Sequence, residues 1–216
     1  MMQINIQSFT FNAFQENTYL LFDAKNQAIV VDPGCSNADE EQLLLNAITS
    51  KNLELKAILN THCHIDHVFG NAFLKRHFDV AIYTHRGELQ TLEGAKATAE
   101  MFGFKRYEPS PLPTKFVEEN DILNFGDLTF NVLFVPGHSI AHIAFYNEEN
   151  HLLLGGDVLF KGSFGRYDLP GGNLETLKAS ITEKFFALPN ETIVYSGHGP
   201  ITTIGEERTT NPILMY

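Results

Sequence analysis

One run of side chains has the types and spacing to do chemistry: His62-Cys63-His64-Ile65-Asp66-His67. Histidines two apart cannot share a helix face, but in an extended loop both rings can converge on one ion. Asp66 and His67 follow as the chain turns. Hard oxygen and borderline nitrogen donors then stand together, a set suited to zinc or iron. More donors occur where apolar strands run into glycine: His138 after Phe134-Val135-Pro136-Gly137, Asp157 after Leu154-Gly155-Gly156, and His198 after Tyr195-Ser196-Gly197. Glycine before a ligand lets the backbone turn sharply and approach an ion closely. Four such segments meeting at one edge predict a metal centre.

The remaining candidates are weaker. His142, four residues after His138, is expected beside the ligands rather than on the ion. His85 ends a strand and faces either a cleft or solvent, while His77 and His151 carry no expected role. Cys63 is expected to point away from its histidine neighbours. Phe102, Phe104 and Tyr107, near a loop with three prolines between Arg106 and Pro113, are candidates for a substrate mouth.

These residues need strands that end together. Ile4 and Ile6 alternate with polar residues, and Tyr19 to Phe22 and Ala28 to Val31 are apolar runs, the second closed by Asp32-Pro33-Gly34. Asp39 to Ser50 reads as a helix with acids in its first turn. A buried strand, Ala57 to Asn60, leads into the histidine run. A helix Val68 to Phe78, a strand Val80 to Tyr83 and a longer helix Gly87 to Met101 follow. The second half predicts strands at Ile122 to Phe125, Leu128 to Val135, Ile143 to Tyr146, Leu152 to Leu154 and Ile193 to Tyr195. One amphipathic helix, Leu174 to Leu188, completes it. Two strand-rich halves with outer helices predict an α+β sandwich of two mixed sheets, packed face to face in a single domain over residues 1–216.

Composition narrows the class. Of 216 residues 44% are hydrophobic and 19% charged, and 15 basic against 26 acidic residues leave a net charge of −11. A chain this acidic does not hold phosphate backbones through bulk charge, so no nucleic-acid partner is expected. Cys35 and Cys63 are too few for a disulfide framework. Met1 to Leu20 has neither the basic nor the apolar region of a signal peptide, and no apolar run reaches membrane-spanning length. The expectation is a cytoplasmic protein with no membrane partner.

The donors and their order resemble the metallo-β-lactamase superfamily, whose motifs run H-x-H-x-D-H, then H, then D, then H. The resemblance covers essentially the whole chain and implies an αβ/βα sandwich with a two-metal site between the sheets. It implies that His62, His64 and His138 hold one metal, that Asp66, His67 and His198 hold the second, and that Asp157 and a hydroxide bridge both. Two divalent ions are implied, zinc first, with iron or manganese as alternatives. Asn60-Thr61-His62, Pro136-Gly137-His138-Ser139, Gly156-Asp157-Val158-Leu159-Phe160 and Gly197-His198-Gly199-Pro200 look like the short, single-domain type II glyoxalases, the hydroxyacylglutathione hydrolases. The likeness to the short branch implies one domain, without the C-terminal helical domain of long-form relatives, which also tend to have tyrosine at the place of Pro200. Arg166 falls where they carry a glutathione-binding lysine; it either clamps a substrate carboxylate or pairs with Asp168. True β-lactamases with two zincs commonly have cysteine where Asp157 stands, which disfavours that activity. The superfamily's RNA-processing nucleases are disfavoured by the acidic balance.

The implied activity is hydrolysis of an anionic thioester of the S-2-hydroxyacylglutathione type by a metal-bridging hydroxide, with Asp66 orienting it as well as binding metal. The alternatives are a mononuclear-iron persulfide dioxygenase using His62, His138 and Asp157, a lactone hydrolase, and a non-catalytic metal-binding module.

Overall fold

The computed structural model describes residues 4–216. The part of the leader reading that rests on Met1 to Gln3 lies outside the described residues. The first sheet is built from β1 (Asn5–Phe11), β2 (Glu16–Phe22), β3 (Gln27–Val31), β4 (Glu54–Leu59), β5 (Ala81–Thr84) and β6 (Lys115–Phe116), in that spatial order. β1 to β3 are antiparallel and β3 to β6 parallel, so each parallel step needs a crossover. Helix α1 (Ala38–Thr49) makes the first crossover, α2 (Ile65–Val68) and α3 (Asn71–Phe78) the second, and a 3₁₀ turn running into α4 (Leu89–Met101) the third. α1 starts where the sequence predicts: the Asn37 side chain accepts from the Asp39 and Glu40 amides, and three acids follow in the first turn.

The second sheet contains β7 (Ile122–Phe125), β8 (Leu128–Phe134), β9 (Ile143–Asn147), β10 (Leu152–Gly156), β13 (Ile193–Ser196) and β14 (Thr202–Thr203), in the order β14-β13-β10-β9-β8-β7. Between β10 and β13 come a small hairpin, β11 (Leu159–Phe160) with β12 (Ser163–Phe164), and α5 (Leu174–Ala179); α6 (Ile204–Thr210) follows β14. The alternation of each strand divides its side chains between two layers. Ile29, Val31, Leu59, Phe130, Phe145 and Leu154 fill the space between the sheets. Val30, Ile58 and Ile82 pack outward with Leu44, Ile48 and Leu74 of the first helical layer. Ala144, Leu153 and Val194 pack outward with Leu177, Ile181 and Phe185 of the second. The result is the αβ/βα sandwich, and among the described residues no helix is long and apolar enough to cross a membrane.

Two predicted helices are corrected. Val68 to Phe78 is not continuous but breaks between α2 and α3 at Gly70, whose amide donates to the Pro33 carbonyl (2.7 Å). A Cβ there would lie 2.4 Å from Cys35 Sγ, so the close approach of this turn to β3's exit requires glycine. Leu174 to Leu188 passes after Ala179 into a π-helical turn, Ser180–Phe185, where the Ser180 hydroxyl donates to the Pro136 carbonyl (2.7 Å). The short strands β6, β11, β12 and β14 have too few residues to show a period, and only their pairing defines them.

Candidate metal centre

β8, β10 and β13 run in one direction: β8 and β10 both pair antiparallel with β9, and β13 is parallel to β10. Their ends therefore deliver His138, Asp157 and His198 to one edge of the second sheet, facing the exit of β4 with His62 to His67. The edge is tied across the sandwich. Thr61 accepts from the Ile143 amide (2.9 Å), Asn17 donates to the Gly197 carbonyl (2.7 Å), and Tyr19 Oη donates to the Ser196 carbonyl (2.6 Å). At the end of β10 the register with β13 slips between Leu154 and Gly156; this bulge, with Gly156 at φ +51°, re-aims Asp157. Gly197 is required by proximity, since a Cβ there would stand 2.1 Å from Asp157 Oδ1.

All seven residues expected as ligands meet here. One set, His62, His64 and His138, and another, Asp66, His67 and His198, each bring one donor atom per residue within 4.8 Å of the others. Asp157 lies between them: Oδ1 is 3.5 Å from His67 Nε2, and Oδ2 is 3.6 Å from His138 Nε2 and 3.4 Å from His198 Nε2. Asp66 Oδ2 is 3.3 Å from His198 Nε2.

The other nitrogen of most of these rings is anchored. His138 Nδ1 donates to the Arg166 carbonyl (2.8 Å) and His198 Nδ1 to the Phe14 carbonyl (3.1 Å), because a carbonyl can only accept. The single hydrogen of Thr61 Oγ1 goes to Asp32 Oδ2 (2.6 Å), so Thr61 accepts from His62 Nδ1 (3.0 Å). His67 Nδ1 stands 3.2 Å from Asp32 Oδ2. His64 Nδ1 faces His138 Nε2 at 2.9 Å. The atoms left over are buried and bare: His62 Nε2, His67 Nε2 and Asp157 Oδ1 have no hydrogen-bond partner. Buried polar atoms without partners are rare in folded proteins, and cations held by these two donor sets would satisfy all three.

The electrostatics fit the same reading. Burial pushes His62 and His142 well below the ordinary histidine range, and burial with His138 alongside takes His64 down to about 3. Those rings present neutral nitrogen, the form that binds metal. Burial opposes charge on His67 and His198, but Asp157 and Asp66 outweigh it, raising His67 well above its usual value and His198 to about 9. Burial likewise opposes charge on Asp157, yet His67 and His198 hold its carboxyl well below the usual range.

Other expectations sort by contact. His142 stacks on His62 (ring centroids 4.7 Å apart) and its Nε2 accepts from the Asp157 amide (3.1 Å), which puts it beside the candidate donors. Cys63 is buried with Val68 and Leu92, away from the donors, and both cysteines are free thiols. The Arg166 guanidinium forks onto Asp168 (2.8 and 2.9 Å), the second of its two expected roles, and its carbonyl is what holds His138. His85 caps the turn before α4, its Nδ1 accepting from the Gly87 amide. Phe102 lines the cavity above the donors, whereas Phe104 and Tyr107 pack against Ile65, Phe69 and Ala99.

Two buried acids escape a reading of the sequence. Asp32 appears there as a turn residue, but it accepts from the Thr61 amide (2.8 Å) and hydroxyl and faces His67. Glu88 looks like helix-start chemistry, but its carboxylate accepts from the Cys63 amide, the Ala141 amide (both 2.9 Å) and the Ser139 hydroxyl, joining the loops of His64 and His138. No local sequence pattern marks either role, and the positive φ of Asp32, +48°, shows only in the folded chain.

The family model for the metallo-beta-lactamase superfamily matches residues 11–198, which hold every one of these donors. The chain belongs to the metallo-beta-lactamase superfamily. Among curated relatives it is 37% identical to hydroxyacylglutathione hydrolase GloC of Haemophilus influenzae, over 98% of each chain. Among solved structures, BLEG-1 B3 metallo-beta-lactamase superposes with a TM-score of 0.90 at 33% identity, covering 98% of this chain and 100% of that one. A di-iron-bound form of TTHA1623 matches at 0.84 and 41% identity, covering 95% and 98%. At this level the chain is a metallo-hydrolase of that superfamily.

Proposed function

We propose that this superfamily member hydrolyses a thioester, of the type carried by S-2-hydroxyacylglutathione, with two divalent ions. His62, His64 and His138 hold one ion, Asp66, His67 and His198 the other, and Asp157 faces both. The observation that carries the reading is the pairing of two three-residue donor sets across one carboxylate whose Oδ1 has no partner. Bound there, the ions supply an ionised water at neutral pH and positive charge for the developing oxyanion.

The chain's own residues do the rest. Asp66, on the floor of the cavity, accepts a hydrogen bond from the attacking water and orients it. Thr61, Asp32 and the carbonyls of Arg166 and Phe14 hold the rings in register, so that little reorganisation is needed during reaction. A leaving thiolate has a pKa of about 8.5 and needs no dedicated acid, consistent with a cavity in which, among the described residues, Asp66 and Asp157 are the acids.

The similarity to GloC favours a thioester, and the similarity to BLEG-1 makes β-lactams the second reading, against the expectation drawn from Asp157. The donors suit zinc, and the di-iron form of TTHA1623 makes iron the competitor. The test is metal analysis of protein purified without added metal, followed by S-lactoylglutathione, a lactone, a β-lactam and a persulfide as substrates. Two metals per chain with thioester turnover support the proposal. One iron with oxygen uptake on persulfide, or turnover of the β-lactam above the thioester, overturns it.

A further inference from the structure

Above the donors opens a cavity of about 780 Å³, the size of a small-molecule site. One wall is α4. Thr91, Gly94, Ala95 and Thr98 face the cavity at helical spacing, continued by Met101 and Phe102 at the mouth. The lining also holds Phe160 and Phe164 of the β11–β12 hairpin, with Ile140 and Leu169. On the floor is Asp157, buried, with Oδ1 bare.

Three features of these walls point the same way. First, large apolar side chains stay open to solvent at this mouth, Met101 at 74%, Phe102 at 55% and Ile140 at 49% exposure, an arrangement that marks a binding surface. Second, among the described residues the lining holds one Arg and no Lys, and the Arg166 guanidinium is committed in bidentate fashion to Asp168. A carboxylate entering the cavity finds no free Arg or Lys on its described walls, and positive charge only at the centre itself. Third, Gly94 lies in the interior of α4, where glycine is the poorest helix former after proline. A Cβ there would meet nothing within 4 Å, so no packing demands glycine. What its missing side chain leaves is open room on the cavity face of α4.

We infer that the α4 wall is an apolar subsite that seats an aliphatic chain or ring of the thioester, and that Gly94 sets its width. The inference rests on the thioesterase reading for the bond that is cleaved, but not for binding. It adds to recognition of the thioester at the centre a contact made by burial of apolar surface. Each methylene seated in such a subsite is withdrawn from water, so affinity climbs with chain length. A chain of about eight carbons is within the capacity of a cavity this size.

The binding test uses the non-hydrolysable thioethers S-octylglutathione and S-methylglutathione, measured by calorimetry on metal-loaded protein. The octyl compound is expected to bind at least fiftyfold more tightly, and Gly94→Leu, which fills the space, to weaken it at least tenfold. Gly94→Ala, which adds one carbon, is expected to keep the octyl preference within threefold, and both variants to melt no lower than the parent. The kinetic test compares octanoyl and acetyl thioesters of N-acetylcysteamine with the acetyl thioester of octanethiol. These place the chain on the acyl half or the thiol half, and the kcat/KM ratios against the acetyl reference tell which half uses the subsite. Octyl and methyl affinities within threefold of each other, or a Gly94→Leu variant with unchanged octyl affinity, overturn the inference. Absence of any thioester hydrolysis together with a retained octyl preference overturns the thioesterase reading and leaves this one standing.

Discussion

Replacing Glu88 by glutamine tests whether a buried acid outside the donor set holds the two halves of the centre together. Glu88 is fully buried, and its Oε2 accepts from the Cys63 amide at 2.9 Å, while Oε1 accepts from the Ala141 amide at 2.9 Å and from Ser139 Oγ. A glutamine that keeps Oε1 against Ser139 and Ala141 must set its NH₂ against the Cys63 N–H. That leaves a buried donor unpaired, at a cost of about 1–3 kcal/mol. Taking about 2 kcal/mol, and a melting shift of about 2–4 °C per kcal/mol for a chain of this size, Glu88→Gln lowers Tm by about 4–8 °C. Glu88→Ala leaves two backbone amides and a hydroxyl unpaired, about 3–9 kcal/mol, a large part of a typical stability of about 5–15 kcal/mol. Because Cys63 sits between His62 and His64, and Ser139 follows His138, the same change loosens one donor set; metal affinity is expected to fall by about 10–100-fold. Thermal unfolding of the chelated and the metal-loaded protein separates the two effects, and competition against a metal indicator measures the second. A Glu88→Gln variant with Tm within 1 °C of the parent and metal affinity within twofold refutes the reasoning.

Three further outcomes follow from the same geometry. Asp157→Ala removes the carboxylate facing His67, His138 and His198, so metal content and turnover are expected to fall together; a variant retaining two metals and full turnover contradicts the bridging position. Gly197→Ala places a Cβ at 2.1 Å from Asp157 Oδ1 and 2.8 Å from His67 Cε1, so it is expected to displace the carboxylate and to lose metal, read by elemental analysis on protein that remains folded by circular dichroism. In chelated protein His198 is raised from 6.5 to about 9 and His67 is also raised, so their contribution to stability is complete below about pH 6.5 and is lost as pH rises through 9. The Tm of chelated protein is therefore expected to fall between pH 6.5 and 9.5, while metal-loaded protein, whose ion replaces those protons, keeps its Tm over that range.

The donors were legible because each depends on a short stretch of chain. Alternation and glycine place His62, His64, Asp66 and His67 after one strand and His138, Asp157 and His198 after three others, and strands that share a sheet and a direction must end at one edge. The layers of the sandwich were readable for a similar reason, since a strand such as Leu152–Gly156, apolar on both faces, demands cover on both sides. α3 and α5 were misjudged at their ends because what interrupts them is tertiary: Pro33 and Cys35 against Gly70, and Pro136 against Ser180.

By itself the sequence determined which side chains can bind an ion and in what order they come, because residue type and local backbone period are properties of neighbours in the chain. Tertiary structure alone decided how they are held and what they face. Asp32 reaches Thr61 and His67 across the β3–β4 pair. Glu88 spans from Cys63 to Ser139, and Phe14, 184 residues before His198, orients its ring. The same long-range packing brought Gly94 of α4 and Phe160 and Phe164 of the hairpin to the lining of one cavity. Hydrogen-bond direction and free volume depend on groups far apart along the chain, and no local pattern carries that information.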